Sequence, residues 1–414
     1  MTLHSDWGHL RIRPVGPLVQ ALVFTAFGIT LDKSRQGLVR GSERGRHGVP
    51  TLTVTNPGDF AARLLRDGNL GFGEAFIQQS WRGGDGTASL QAETDEIVDW
   101  LAVYAGKLAS RGRWNEVASQ LGWRWRMPRG VPNTRGGARR NVALHYDLPP
   151  DFFRLFLDED LVYSCADFSR ATRLKEAQRD KMDAILDLAE VREGATLLDI
   201  GCGWGGLLVS AATRRGAHAT GITVSQRQFD YCRARITDIA GPGTATVDLA
   251  DYRDQSGVYH SITSVEMIEA VGSAYWASYL RELESLLATD GAIALQLITF
   301  PDGRMEQQLG NYSWVDRYIF PGGELPSIPA IERILKRDTG LEITQLRRLS
   351  ASYAKTLRMW RHRFCARLEE VRDQGFDDRF IRIWALYLAY FEAGFRVRYL
   401  DVWQCQIKRS ADLA

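Results

Sequence analysis

This sequence predicts an α/β fold: a parallel, doubly wound sheet preceded by a smaller mixed domain. Three observations lead there. From Thr196 onward, short apolar runs alternate with stretches of helical period. The first of these runs ends in a glycine-rich turn, Gly201-Cys-Gly-Trp-Gly205, which leads into a helix. The texture also changes after Pro128–Gly137, a Pro-, Gly- and Arg-rich stretch that reads as a linker. At 414 residues the chain exceeds one typical domain, and the expected division is 1–135 and 136–414.

In the first part, Thr51-Leu-Thr-Val-Thr55 alternates as a strand does, and Pro57-Gly58 opens a helix over Asp59–Asp67. Gly68-Asn-Leu-Gly-Phe-Gly-Glu-Ala-Phe76 reads as a glycine-punctuated turn running into aromatics that end at Trp81. Thr94–Ala109 has the spacing of an amphipathic helix. Beyond Asn141, His145–Asp158 reads as a turn followed by a short amphipathic helix, and Leu174–Glu190 as a polar helix. The alternation then predicts strand 196–200, helix 205–215, strand 217–223, helix 225–237, strands 244–249 and 259–266, helix 274–288 and strand 291–300. Strands alternating with helices make a parallel sheet with its ligand site at the carboxyl ends of the strands. Phe380–Leu400 places many aromatics on a helical period, and Asp401–Lys408 reads as a closing strand.

Composition is that of an ordinary globular protein, 45% hydrophobic and 25% charged with a formal net charge of +2. No global nucleic-acid signature results, and no Lys-rich stripe is present. Between Arg111 and Arg140 there are eight arginines and one glutamate, with Trp114, Trp123 and Trp125 among them. That stretch reads either as a solvated linker face or as a site for anionic headgroups. The five cysteines, Cys165, Cys202, Cys232, Cys365 and Cys405, show no C-x-x-C pairing, so a reducing cytoplasm and no metal site are expected. Val15–Leu31 is apolar but interrupted by Gly16, Pro17, Gln20 and Gly28, and is short of the about 20 residues of a bilayer span. Membrane contact is expected to be peripheral, at the inner face.

The glycine turn sets the chemistry. Glycines permit the tight turn and let a ligand approach bare backbone, with amide N–H groups and a helix N-terminus facing it. A pyrophosphate loop reads G-x-G-x-x-G. Here Asp199 precedes G-x-G-x-G, which resembles motif I of class I S-adenosylmethionine (SAM) methyltransferases. Further patterns resemble one family, the cyclopropane-fatty-acid-phospholipid synthases with the related mycolic-acid and tuberculostearic-acid methyltransferases. They are His145-Tyr-Asp147, Tyr163-Ser-Cys-Ala166, Asp199–Gly206, Gly221-Ile-Thr-Val-Ser-Gln226, Asp251-Tyr-Arg253, Ser264–Gly272, Tyr353–Trp360 and Val402-Trp-Gln404. Leu70–Phe76 resembles the N-terminal domain of the phospholipid-acting members.

The resemblance implies a Rossmann-like methyltransferase domain with helical lid insertions. It also implies transfer of a one-carbon unit from SAM to the double bond of an unsaturated phospholipid acyl chain at the membrane surface. Attack by an alkene leaves a carbocation, so the site must be dry and lined with electron-rich rings. A bicarbonate ion would then take the proton, held by Cys165, Glu269 and Tyr353. The family's histidine falls where this chain has Gln296-Leu-Ile298, so Gln296 and Ile298 join the expected site. Glu266 stands where the cyclopropane synthases tend to have glycine. For the cofactor, Tyr163 and Ser164 are expected at the carboxylate end, and Gly201 and Gly203, after Asp199, along the methionine portion. Thr223 and Gln228 should reach the ribose, and Tyr252 the adenine. The Gln296 neighbourhood with Tyr318–Gly323 looks closer to the tuberculostearic branch, whose methylene product a separate flavin-dependent reductase reduces; cyclopropane remains the other expected product. A homodimer is implied. Two rival readings stay open: a SAM-binding scaffold at a membrane surface without activity, and a methyltransferase for another small molecule.

Overall fold

The computed structural model describes residues 30–32, 38–40, 51–85, 88–110, 133–134, 136–137 and 148–410, apart from 238, 310 and 311. Most of the apolar stretch 15–31, most of the arginine-rich stretch 111–140, the position read as a domain boundary at 135, and the His145-Tyr-Asp147 motif lie outside the described residues.

The first unit is an antiparallel sheet of four short strands in the order β1 (Thr30–Asp32), β2 (Leu38–Arg40), β3 (Thr51–Val54), β4 (Trp81–Gly83). Helix α1 (Pro57–Ile77) joins β3 to β4, and α2 (Leu90–Ser110) follows. Asn56 caps α1 by accepting from the Asp59 amide at 3.1 Å, with Pro57 in the first turn. The segment expected as a glycine turn is instead the second half of this helix, entered through a kink at Gly68 (φ 52°, ψ −120°). Its glycines answer a packing demand. A Cβ on Gly71 would lie 2.0 Å from the Arg63 carbonyl oxygen, and one on Gly73 2.2 Å from Cγ of Trp314. Only a bare helix face lets Trp314 lie that close. Behind it, Phe72 and Phe76 pack on Trp81 with centroids 4.5 and 4.9 Å apart.

The second unit begins with α3 (Pro150–Arg154) and α4 (Leu174–Leu188). Then come β5 (Thr196–Ile200), α5 (Gly206–Arg215), β6 (His218–Thr223), α6 (Gln226–Ile236), β7 (Thr244–Leu249) and β8 (Tyr259–Val265). Helix α7 (Trp276–Leu286) runs into β9 (Leu287–Thr299). Short helices α8 (Asp302–Gln308) and α9 (Trp314–Tyr318) precede α10 (Ile328–Asp338) and β10 (Leu341–Arg348). Helices α11 (Ser350–Cys365), α12 (Leu368–Asp373) and α13 (Asp378–Arg396) lead to β11 (Asp401–Arg409). The sheet order is β10-β11-β9-β8-β5-β6-β7, and β11 runs antiparallel to both neighbours. Strand β5 pairs in parallel with β6 on one side and β8 on the other, so the strand order reverses beside it. A ligand crevice belongs at the carboxyl ends there.

The two units share one apolar core, which runs from Phe60 and Trp81 through Trp314 and Trp360 to Trp384. Buried ion pairs fix how they meet. Arg361 of α11, 1% exposed at its side chain, donates to Glu392, Thr94 and Asp95 at 2.9, 2.8 and 2.7 Å. Arg382 of α13 donates to Glu93 and to the Phe76 carbonyl. Breaking one partner of such a pair strands the other charge in the interior, so these contacts enforce one docking geometry. No helix among the described residues is long and apolar enough to cross a membrane.

Candidate active site

The cavity at the switch point is lined by the β5–α5 turn, the ends of β6 and β8, and the segment Asp160–Ser164. The turn follows the logic of its residues. Gly201, Gly203 and Gly205 all have positive φ (79°, 56° and 80°), and a Cβ on Gly203 would meet no protein atom within 4 Å. Gly203 is also one of the residues that line the cavity. Asp199, at the end of β5, is buried and accepts from the Thr263 hydroxyl at 2.8 Å; burial raises its pKa to about 6. Thr223 donates to Gln228 Oε1 at 2.8 Å, and both line the cavity with Tyr252. Tyr163 and Ser164 line it from the opposite side, and the Tyr163 hydroxyl meets that of Tyr387 at 2.8 Å. All eight residues expected around the cofactor therefore converge on one cavity. Its backbone-lined floor fits an S-adenosyl cofactor and leaves space where a side chain would block one.

The second cluster lies where β8 and β9 end. Parallel pairing sets Val265 beside Gln296, so Glu266, the next residue, leaves the sheet next to that glutamine. Its amide donates to the Gln296 carbonyl at 2.7 Å. Glu266 also has φ 52°, a left-handed backbone that glycine adopts freely and a glutamate rarely does. Three donors hold its side chain. The Cys165 amide and Gln296 Nε2 each give a bond of 2.8 Å to Oε1, and the Tyr353 hydroxyl gives one of 2.6 Å to Oε2. Gln404 on β11 donates to Gln296 Oε1 at 3.0 Å, which turns the Gln296 amide nitrogen toward the carboxylate. Burial pushes the Glu266 pKa up, and its three donors pull it back.

The expected set of Cys165, Gln296 and Tyr353 is thus brought together, and the acid they share is Glu266. Glu269 lies one short helical turn later. One of its carboxylate oxygens accepts from the Ile298 amide and the other, Oε2, is buried without a hydrogen-bond partner. Burial and then the charge of Glu266 raise its pKa to about 8, so it is protonated at neutral pH. The Cys165 thiol is fully buried and pushed far up by that burial, which suits a packing role for the thiol and a donor role for its backbone. A bicarbonate ion at this point would need the three donors that Glu266 already takes, so the residues present do not fit one.

Sequence reading did not single out two residues here, Gln178 and Lys181 on α4. The signal was available. Leu174, Ala177, Gln178, Lys181, Met182 and Ile185 form one buried helical stripe, and a Gln and a Lys within an apolar stripe need partners. Among the described residues, no group of three or more His, Cys, Asp or Glu is arranged to hold a metal.

Sheet order, switch-point cavity and glycine turn together define a class I methyltransferase dependent on S-adenosylmethionine. Residues 134–405 match the mycolic acid cyclopropane synthetase family, and the chain belongs to that family. It is 41% identical over 374 residues to the tuberculostearic acid methyltransferase UfaA1 of Mycobacterium tuberculosis, covering 87% of this chain and 84% of that one. It is 30% identical over 364 residues to the cyclopropane-fatty-acyl-phospholipid synthase of Escherichia coli, covering 87% and 88%. The crystal structure of mycolic acid cyclopropane synthase CmaA1 complexed with SAH and CTAB superposes with a TM-score of 0.61 at 30% identity, over 66% of this chain and 98% of that one.

Proposed function

We propose that this enzyme methylates the double bond of an unsaturated phospholipid acyl chain, and that the Glu266 carboxylate is the resident base, standing where relatives use bicarbonate. The observation that carries this is the carboxylate itself, fixed by the Cys165 amide, Gln296 and Tyr353 at 2.6–2.8 Å. Bound SAM supplies an electrophilic methyl group on a sulfonium. The glycine turn would hold it so that the alkene's electron pair forms the new C–C bond while the methyl–sulfur bond breaks. The sulfur keeps that electron pair and leaves as S-adenosylhomocysteine, with a carbocation left on the acyl chain. Rings of Tyr163, Trp360, Tyr353 and Phe395 stand near the base, with centroids 5.3 Å apart for Tyr163–Trp360 and 4.4 Å for Tyr353–Phe395. They keep water out and offer π-faces to the cation. Glu266 then accepts a proton, and the C–H pair left behind becomes the product's new bond.

For the product we favour a methylene-branched chain. In that route a 1,2-hydride shift moves the cation to the neighbouring carbon before the added methyl loses its proton, and the resulting methylene is the substrate of a separate flavin-dependent reductase. Support comes from the greater identity to a tuberculostearic acid methyltransferase, 41% against 30%, and from Gln296 and Glu266, both of which depart from the cyclopropane synthase pattern. Substrate is reached at the inner membrane face, a reading that rests on the resemblance and the arginine-rich stretch, and the enzyme works as a homodimer, which rests on the resemblance alone. The test is proton NMR of fatty methyl esters from a host with oleoyl phospholipids that expresses the enzyme. Vinylidene signals are expected. Upfield cyclopropane resonances without them would reject the branched product.

A further inference from the structure

Lys181 is the one buried cation lining the cavity between the cofactor turn and the base among the described residues, and the steps above do not use it. It sits on α4, 2% exposed, and its Nζ donates to Ser164 Oγ at 2.7 Å. One turn earlier, Gln178 donates to the carbonyls of Val162 and Ser164 at 3.2 and 2.9 Å. Helix α4 therefore grips the backbone segment whose next amide, that of Cys165, is bonded to Glu266. A lysine needed only for solubility would point outward, as Lys175 does at 62% side-chain exposure. Burying an ammonium is costly unless it serves anions.

We propose that Lys181 is the positioning residue of the base: its charge keeps Glu266 ionised, and its bond to Ser164 holds the Cys165 amide on that carboxylate. This rests on the reading that Glu266 is the base. The groups facing Glu266 are Lys181 on α4, the Cys165 amide and thiol on the segment before it, Tyr353 on α11, neutral Gln296 on β9 and Glu269 on the turn after β8. Lys181 is the only cation in that set. The other acids near Lys181 are Asp158 and Asp199, both raised by burial to about 6. Burial lowers the Lys181 pKa, and Glu266 is the neighbour that opposes this most; among the acids around Lys181 it is also the one whose side chain has three donors.

The experiment is the pH profile of kcat for Lys181→Gln, which removes the charge and leaves an N–H donor on a side chain one bond shorter, beside Lys181→Arg and Glu266→Gln. Loss of a nearby cation should move the acidic limb of Lys181→Gln upward by about one pH unit or more, with activity recovering toward wild type above it. Below that limb kcat should fall roughly tenfold per unit. Lys181→Arg should keep the limb where wild type has it. If Lys181→Gln is poorly folded, Lys181→Met carries the same reading. A limb that stays in place while kcat drops equally at every pH would mean a structural lysine and overturn the proposal. Wild-type kcat in Glu266→Gln would overturn both this proposal and the base assignment, whereas an inactive Glu266→Gln with an unmoved Lys181→Gln limb would overturn this one alone.

Discussion

Gly203→Val tests the cofactor turn through two separable effects. Gly203 has φ 56°, and a valine in that left-handed region costs about 1–2 kcal/mol of backbone strain. Against a total stability of about 5–15 kcal/mol the protein should stay folded. Melting should fall by only a few degrees, at roughly 2–4 °C per kcal/mol for a large domain. The second effect is on binding. A Cβ on Gly203 meets no protein atom within 4 Å and Gly203 lines the cavity, so a valine there adds bulk at the cofactor turn without disturbing the protein around it. A ligand displaced from the turn loses its bonds to the backbone N–H groups, each worth about 1.5–3 kcal/mol to a charged partner. Losing two of them predicts a SAM affinity weaker by at least ~100-fold, about 2.8 kcal/mol. Calorimetric titration with SAM beside a thermal melt reads both. Wild-type affinity in the folded variant would refute the placement of the cofactor on this turn.

Two further outcomes follow from the packing and the charges. Gly73→Ala puts a methyl group 2.2 Å from Cγ of Trp314, so α1 and α9 must separate; a loss of about 1–3 kcal/mol is expected in a thermal melt, with SAM affinity unchanged. Glu269→Gln keeps an acceptor for the Ile298 amide and removes the titrating carboxyl. Because the folded pKa of Glu269 is raised to about 8 from 4.5, its protonated form favours the fold at low pH, and that contribution is lost as pH rises through about 8. The melting temperature of Glu269→Gln should therefore gain on wild type from about pH 4.5 to pH 8 and hold a constant lead above that; a difference that does not change across that window would show that Glu269 is ionised throughout.

Residue pattern alone reveals much of this fold. The run Thr196–Ile200 and its glycine turn lie where the pattern puts them, because a short apolar strand followed by glycines has few other uses. The second half of α1 reads as a turn in the sequence, since Gly68, Gly71 and Gly73 look like turn residues. Gly71 lies against the Arg63 carbonyl and Gly73 against Trp314, and those two contacts explain why both are helical. Helix α10 carries a start signal that sequence reading did not use, Ser327 before Pro329, with Ile328, Ile331 and Leu335 at helical spacing; strand β10 is largely exposed and has no clean alternation. In the site, Asp199, Gly201 and Gly203 were legible from the strand and its glycine turn, whereas Tyr163, Ser164, Thr223, Gln228 and Tyr252 came from the family resemblance; all of them line the same cavity. The choice between Glu266 and Glu269 was not legible. It depends on the β8–β9 register and on a left-handed φ at Glu266, and neither has a local signature. Lys181 was hidden because a lysine in a polar helix reads as solvated until the helix's buried face is known.

The central claim is that the base belongs to the chain, and bicarbonate dependence measures it most directly. Turnover of wild type and of Glu266→Gly would be followed in carbonate-free buffer and again with bicarbonate added. Glycine relieves the left-handed strain at that position and frees the Cys165, Gln296 and Tyr353 donors. Wild type should be indifferent to bicarbonate. Glu266→Gly should lose about 10²–10⁴-fold without it, the range for a missing general base, and regain part of that when it is supplied. A wild-type rate that collapses in carbonate-free buffer and returns with bicarbonate would contradict the assignment of Glu266.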